Sequence, residues 1–123
     1  MKRKFTDPIL SSNILFLVNA LLYAHKNYMM CFFSMFLAFL TSWGYHYHAE
    51  EDEFWKSLDI VAATNALLIT LFYAKPFFTE ESIVISVFLL LIAFLTKQLA
   101  LDGNYKWHIL VFIGQCYLWW ILE

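Results

Sequence analysis

Residues 57–74 read SLDIVAATNALLITLFYA: eighteen residues with a single charged side chain, Asp59. At about 1.5 Å per residue, an α-helix of this length extends about 27 Å, close to the roughly 30 Å hydrocarbon thickness of a bilayer. Within it Asp59, Ala62, Ala63, Ala66, Thr70 and Tyr73 recur at helical spacing on one face. Small side chains let membrane helices approach closely, and ionisable ones in a span turn toward protein or water. The stretch therefore predicts a membrane-spanning helix whose packing face directs Asp59 into a bundle. Pro76 predicts its end.

Four further apolar stretches lie on either side, over residues 8–23, 28–47, 81–101 and 105–122. Asp7-Pro8 starts the first, with Asp as N-cap and Pro at the first helical position. Asp102-Gly103 separates the last two. The expected fold is an all-α polytopic membrane helix bundle, one transmembrane domain over residues 1–123 with about five spans. Composition agrees. The 123 residues are 62% hydrophobic, 20% aromatic and 15% charged, whereas a soluble domain is about half apolar and a quarter charged. A chain this short cannot bury so much apolar surface in a soluble core. Its aromatic content excludes disorder. Continuous apolar blocks, rather than short alternating strands, exclude an outer-membrane barrel. A net charge of −2 without a basic stripe argues against nucleic-acid binding. Cys31 and Cys116 lie in apolar runs and read as small fillers rather than as a disulfide.

Lys2-Arg3-Lys4 followed by the first apolar run also resembles a secretory leader, but Leu22 is too large for the cleavage signature around Leu22-Tyr23-Ala24, so a retained span is expected. With the N-terminus cytoplasmic, the inner side holds Lys2, Arg3, Lys4, Lys56, Lys97 and Lys106, and the outer side Lys26 and Lys75. That bias places the N-terminus in the cytoplasm.

Polar residues inside the spans carry the functional information. Ser42 and His46 stand one turn apart at the end of the second span, Asp59 at the start of the third, and Asn104 and His108 at the start of the fifth. The alternating topology puts all of them at one depth on the cytoplasmic side. Two histidines and a carboxylate there suit a metal site or a proton relay. The alternative for each is structural: a histidine meeting headgroups or a backbone carbonyl, an aspartate capping a helix. His48 faces away from His46 on a continuous helix and reads as a loop residue, a ligand only if the helix ends early. Glu50-Glu51-Asp52-Glu53 reads as a solvated loop without the glycine of a calcium site. Tyr45, Tyr47, Trp55, Trp107, Trp119 and Trp120 read as interface anchors.

Ser42-Trp43-Gly44-Tyr45-His46, Asp59 and Asn104-Tyr105-Lys106-Trp107-His108, in that order, resemble the Ser-x-x-x-His, Asp and His-x-x-x-His motifs of the CREST superfamily. That superfamily comprises alkaline ceramidases, progestin and adipoQ receptors and myomaker-like membrane proteins. Trp107-His108 with Gly114 also resembles a ceramidase run, and Tyr45-His46 before an acidic loop resembles the myomaker-like branch. The family has seven spans and three zinc-binding histidines. Here five spans are expected, and Asn104 stands where the first histidine of the last motif would be; asparagine is a poor zinc ligand beside histidine.

The resemblance implies zinc held by His46 and His108, with water completing the site and Asn104 or His48 as an additional ligand. Asp59 would orient the water or accept its proton, and Ser42 would polarise a carbonyl. The implied activity is hydrolysis of a lipid amide, with membrane lipids as partners. The alternative is a non-catalytic membrane scaffold, lipid-binding protein or assembly partner, or a protein whose polar residues relay protons. An oligomer or a protein partner is compatible with each.

Overall fold

The computed structural model describes residues 2–99 and 105–122. Every regular element among them is helical: α1 (Pro8–Ser11), α2 (Ile14–His25), α3 (Met29–Tyr47), α4 (Glu53–Ala74), a 3-10 turn (Lys75–Phe77), α5 (Glu80–Leu99) and α6 (Lys106–Ile121). The fold is thus all-α. Two rods, Pro8–His25 and Glu53–Phe77, are long and apolar enough to cross a membrane. The expected end of the fourth span, the Asp102-Gly103 break and Asn104 lie outside the described residues.

Local chemistry explains the helix ends. The Asp7 carboxylate accepts from Ile9 N at 3.0 Å, and Pro8 opens the helix. The first rod then breaks at Ser12-Asn13, because the Asn13 amide donates to the Ile9 and Leu10 carbonyls. An asparagine that bonds the preceding turn competes with helix continuation. The second break, after α2, is a Schellman turn. Asn27 sits at φ 66°, Asn27 N donates to Ala24 O, and Tyr28 N donates to Tyr23 O. α3 ends in the same way: Ala49 N donates to His46 O and Glu50 N to Tyr45 O, with Ala49 and Glu50 at φ 53° and 62°.

α4 starts at Glu53, four residues ahead of the expected start. The reason is Asp52, whose carboxylate accepts from Phe54 N at 2.9 Å and from Trp55 N at 3.3 Å. The acidic run is therefore partly a helix cap, not wholly a solvated loop. Pro76 ends α4 as expected, and the chain turns through the 3-10 segment.

α2, α3, α4 and α6 pack in a closed ring of four, each against the next, and α5 packs mainly on α6. Antiparallel order follows from the short connections between consecutive helices. The buried side of α4 carries Asp59, Ala62, Ala66, Thr70 and Ala74, close to the face expected from its spacing. The interior combines an apolar core, including Phe16, Ala20, Met35 and Leu118, with buried polar side chains, while many large apolar residues face outward. Asn13, Asn19, Ser42, Thr70, His108 and Gln115 are buried, while Leu21, Phe33, Leu68, Phe72, Val84, Phe88 and Phe94 are exposed.

At one end, three helices are clamped by polar contacts. The Tyr23 hydroxyl donates to Gln115 Oε1, and Gln115 Nε2 donates to Thr70 Oγ1 at 3.2 Å. Lys26 Nζ donates to Trp119 O and Leu122 O at 2.7 and 2.6 Å, capping the carbonyl end of α6 with a cation.

Candidate functional site

The residues singled out from sequence gather at the opposite end. His46, near the end of α3, and His108, in the first turn of α6, meet edge to face with ring centroids 5.1 Å apart. Both are buried, at 5% and 0% exposure. Ser42, one turn before His46, donates to Asn13 Oδ1 at 2.7 Å. Asp59 is buried in the second turn of α4.

Each histidine is held through its Nδ1 side. His108 Nδ1 lies 2.6 Å from Ser12 Oγ, and Ser12 also donates to Ile9 O at 3.3 Å. His46 Nδ1 lies 3.3 Å from Glu50 Oε1, a charge contact without hydrogen-bond alignment. Glu50 is gripped by Arg3: Nη2 reaches its two oxygens at 2.9 and 3.0 Å, and Nε donates at 3.2 Å. Arg3 also bonds Asp7 at 3.2 Å through Nη1 and Tyr47 O at 2.9 Å through its backbone N–H. Glu50 first, then Asp7, holds the Arg3 guanidinium above its ordinary pKa. Phe5 stacks against Trp43 and Tyr47 at 6.0 and 5.9 Å. The N-terminal segment thus lies over the end of α3, and Glu50 is half-buried instead of free in solvent.

The Nε2 atoms of both histidines are buried without a hydrogen-bond partner among the described residues. Buried polar atoms are rarely left so, and histidine is the commonest metal ligand. Two imidazoles alone supply fewer donors than the three or four protein ligands of a zinc site. No group of three or more His, Cys, Asp or Glu side chains able to hold a metal occurs among the described residues. His48 does not join the pair: its Nδ1 sits 2.7 Å from Gly44 O and its ring stacks on Trp55 at 5.8 Å. As the C-cap of α3, it is drawn back onto its own helix instead of forward to His46. Asn104, the other expected ligand, lies outside the described residues.

Beside the histidines runs an apolar cavity of about 290 Å³, open to the outside. Its walls include Ser42 and Met35 from α3, Asp59 and Leu71 from α4, Ala93 from α5 and Trp107 from α6. It exists because α5 packs on α6 and not closely on α4. Along α4, from Asp59 to Leu71, it extends about 18 Å at helical rise. Asp59 is the one carboxylate among its described lining residues, at the end where α3 finishes and α4 begins. A thin five-helix bundle leaves little room for an enclosed lipid pocket, and this cavity is a lateral groove.

Sequence reasoning singled out Ser42, His46, Asp59 and His108. It missed Asn13, Arg3 and Glu50. Asn13 was legible in principle, since it falls on one helical face with Phe16, Ala20 and Tyr23, all buried. Arg3 and Glu50 are 47 residues apart in sequence and carry no local signal. Compared with protein-family models, curated proteins and solved structures, the chain matches none.

Proposed function

We propose that this chain is a multi-pass membrane protein that binds an amphiphilic lipid in the groove between α4 and α5. The acyl part lies along the apolar wall and the polar part meets Ser42 and Asp59. The supporting observation is the groove itself: apolar over most of its length, open sideways, with a serine and a carboxylate at one end. The extensive exposed apolar surface supports a membrane setting, since apolar patches this large are foreign to soluble monomers. Five spans with a cytoplasmic N-terminus fit this reading.

The test is photolabelling of the protein in nanodiscs with an alkyl-diazirine lipid. Labelled peptides from α4 and α5 are expected at the groove. Ala63, which lines the groove and is otherwise exposed, is the residue to enlarge. Ala63→Trp should reduce groove labelling at least tenfold while the helical circular dichroism is retained. Equal labelling in the variant would exclude the groove as the lipid site.

A second reading, hydrolysis of a lipid amide, is favoured by the gathering of His46, His108, Ser42 and Asp59 at one end. Zinc bound there would supply Lewis acidity and a nucleophile at neutral pH. In this reading His46 and His108 hold the ion, Ser42 faces the substrate carbonyl, and Asp59 holds a proton at its carboxylate. Fatty-acid release from a panel of N-acyl lipids, lost in the His46→Ala, His108→Ala double variant, is its expected signature. Folded protein that releases none leaves the binding reading alone.

A further inference from the structure

The two polar side chains at the end of the groove both ask for a donor. Asn13 Nδ2 faces two carbonyls, Ile9 O at 3.2 Å and Leu10 O at 3.3 Å, so the amide nitrogen is fixed on that side and Oδ1 is turned to Ser42. Ser42 Oγ donates its one proton to that oxygen at 2.7 Å and keeps only lone pairs for the groove. Asp59 lines the groove and is 8% exposed, yet no hydrogen bond or ion pair reaches its carboxylate among the described residues. A buried carboxylate in that state calls for N–H donors or a cation.

A charge of the opposite sign stands at the rim. Lys97 follows Ala93 by one turn of α5, on the same face, and Ala93 lines the groove. The Lys97 Nζ rests 4.8 Å from the ring centroid of Trp107, another lining residue. It is exposed and forms no salt bridge among the described residues. Its charge acts on Asp59 through space without pairing with it, because α5 does not pack closely on α4. The end of the groove therefore offers an anion on one helix and a cation on the facing one, held apart.

A headgroup that reaches both must carry a cation for Asp59 and an anion for Lys97. A quaternary ammonium has the charge but no N–H, and would leave Asp59 without a hydrogen bond. A primary ammonium has three donors, enough for Asp59 and for the Ser42 oxygen. A phosphate is an anion that lysine binds as a point charge.

We propose that the groove selects a zwitterionic phospholipid with a primary amine, of the phosphoethanolamine type. The ammonium donates to Asp59 and Ser42, the phosphate meets Lys97, and an acyl chain follows the apolar wall. The proposal rests on the lipid-binding reading and names the headgroup class within it.

The experiment is photolabelling of the full chain in phosphatidylcholine nanodiscs with trace diazirine-acyl probes of equal chain length. Their heads are phosphoethanolamine, phosphocholine, phosphate alone and, without phosphate, a primary amine. The phosphoethanolamine probe should label groove peptides of α4 and α5 about tenfold more than the phosphocholine and phosphate probes. Asp59→Asn should bring it down to the phosphocholine level. Lys97→Gln should weaken it about fivefold and leave the amine probe unchanged, whereas Lys97→Arg keeps the charge and should keep the labelling. Equal labelling by the phosphoethanolamine and phosphocholine probes overturns the proposal and leaves the groove a lipid site. So does an amine or phosphate probe that labels as strongly as the phosphoethanolamine one, since a single charge would then suffice. Groove peptides labelled by none of the probes sink the lipid-binding reading and this proposal with it. The probe comparison uses the wild-type chain and so holds whether or not a variant folds.

Discussion

At the residue scale, the interior is organised by a few side chains that satisfy one another across helices. Ser42 and Asn13 join α3 to the α1–α2 break at 2.7 Å. Hydrogen bonds between membrane helices are worth about 0.6 kcal/mol on average and at most about 1.7. A double-mutant cycle with Asn13→Ala and Ser42→Ala should therefore give a coupling of that size in reversible unfolding from detergent. Zero coupling would mean that the two side chains are not partners. Tyr23, fully buried, points its hydroxyl at Gln115. Gln115→Ala removes that hydroxyl's side-chain acceptor, leaves it the backbone carbonyl of residue 115 at 3.3 Å, and should cost about 1 kcal/mol. Tyr23→Phe in the same background should recover part of the loss.

At the element scale, helix ends and close approaches decide how α3 meets α4. A Cβ on Gly44 would fall on the Trp55 ring, so Gly44→Ala must displace the indole and its stack with His48. A loss of about 1–3 kcal/mol is expected in thermal unfolding. Gly114→Ala meets nothing within 4 Å and should instead be neutral or stabilising by up to about 1 kcal/mol, the helix-propensity gain. The order of the two melting temperatures checks both. The turn after α3 holds Ala49 in the left-handed region at φ 53°, a conformation that costs a non-glycine residue about 1–2 kcal/mol. Ala49→Gly should thus raise stability by up to about 1 kcal/mol, after its larger unfolded-state entropy is counted. That turn also swings Glu50 back toward His46, so its geometry and the site are coupled.

At the scale of the whole molecule, the ring of α2, α3, α4 and α6 places the histidine end and the Tyr23–Gln115–Thr70 end at opposite poles. The Arg3 segment lies at the first pole and Lys26 at the second. If the bundle spans a bilayer, Lys2→Cys and Lys75→Cys should label with a membrane-impermeant maleimide from opposite sides, in a Cys31→Ala, Cys116→Ala background. Labelling from the same side would break the five-span arrangement. His46→Cys paired with His108→Cys should crosslink with a short reagent, given ring centroids 5.1 Å apart.

Helical periodicity and the restricted chemistry of apolar runs are local properties, so the chain by itself determined that it is all-helical. The Asp7 cap, the Pro76 stop, most of the buried face of α4 and the shared end of Ser42, His46, Asp59 and His108 were legible for the same reason. Parity of antiparallel helices carries such residues to one end once their positions along each helix are known. Which side chains touch was not legible, because contacts between residues far apart in sequence depend on the rotation of each helix and on where it breaks. Only the tertiary structure put Arg3 on Glu50, turned Ser12 to His108 and Asn13 to Ser42, and drew His48 back onto Gly44. It also decided that α5 leans on α6 and away from α4, which opens the groove. That choice is made by the packing surfaces of α5 and α6 together, and no single stretch of sequence contains it.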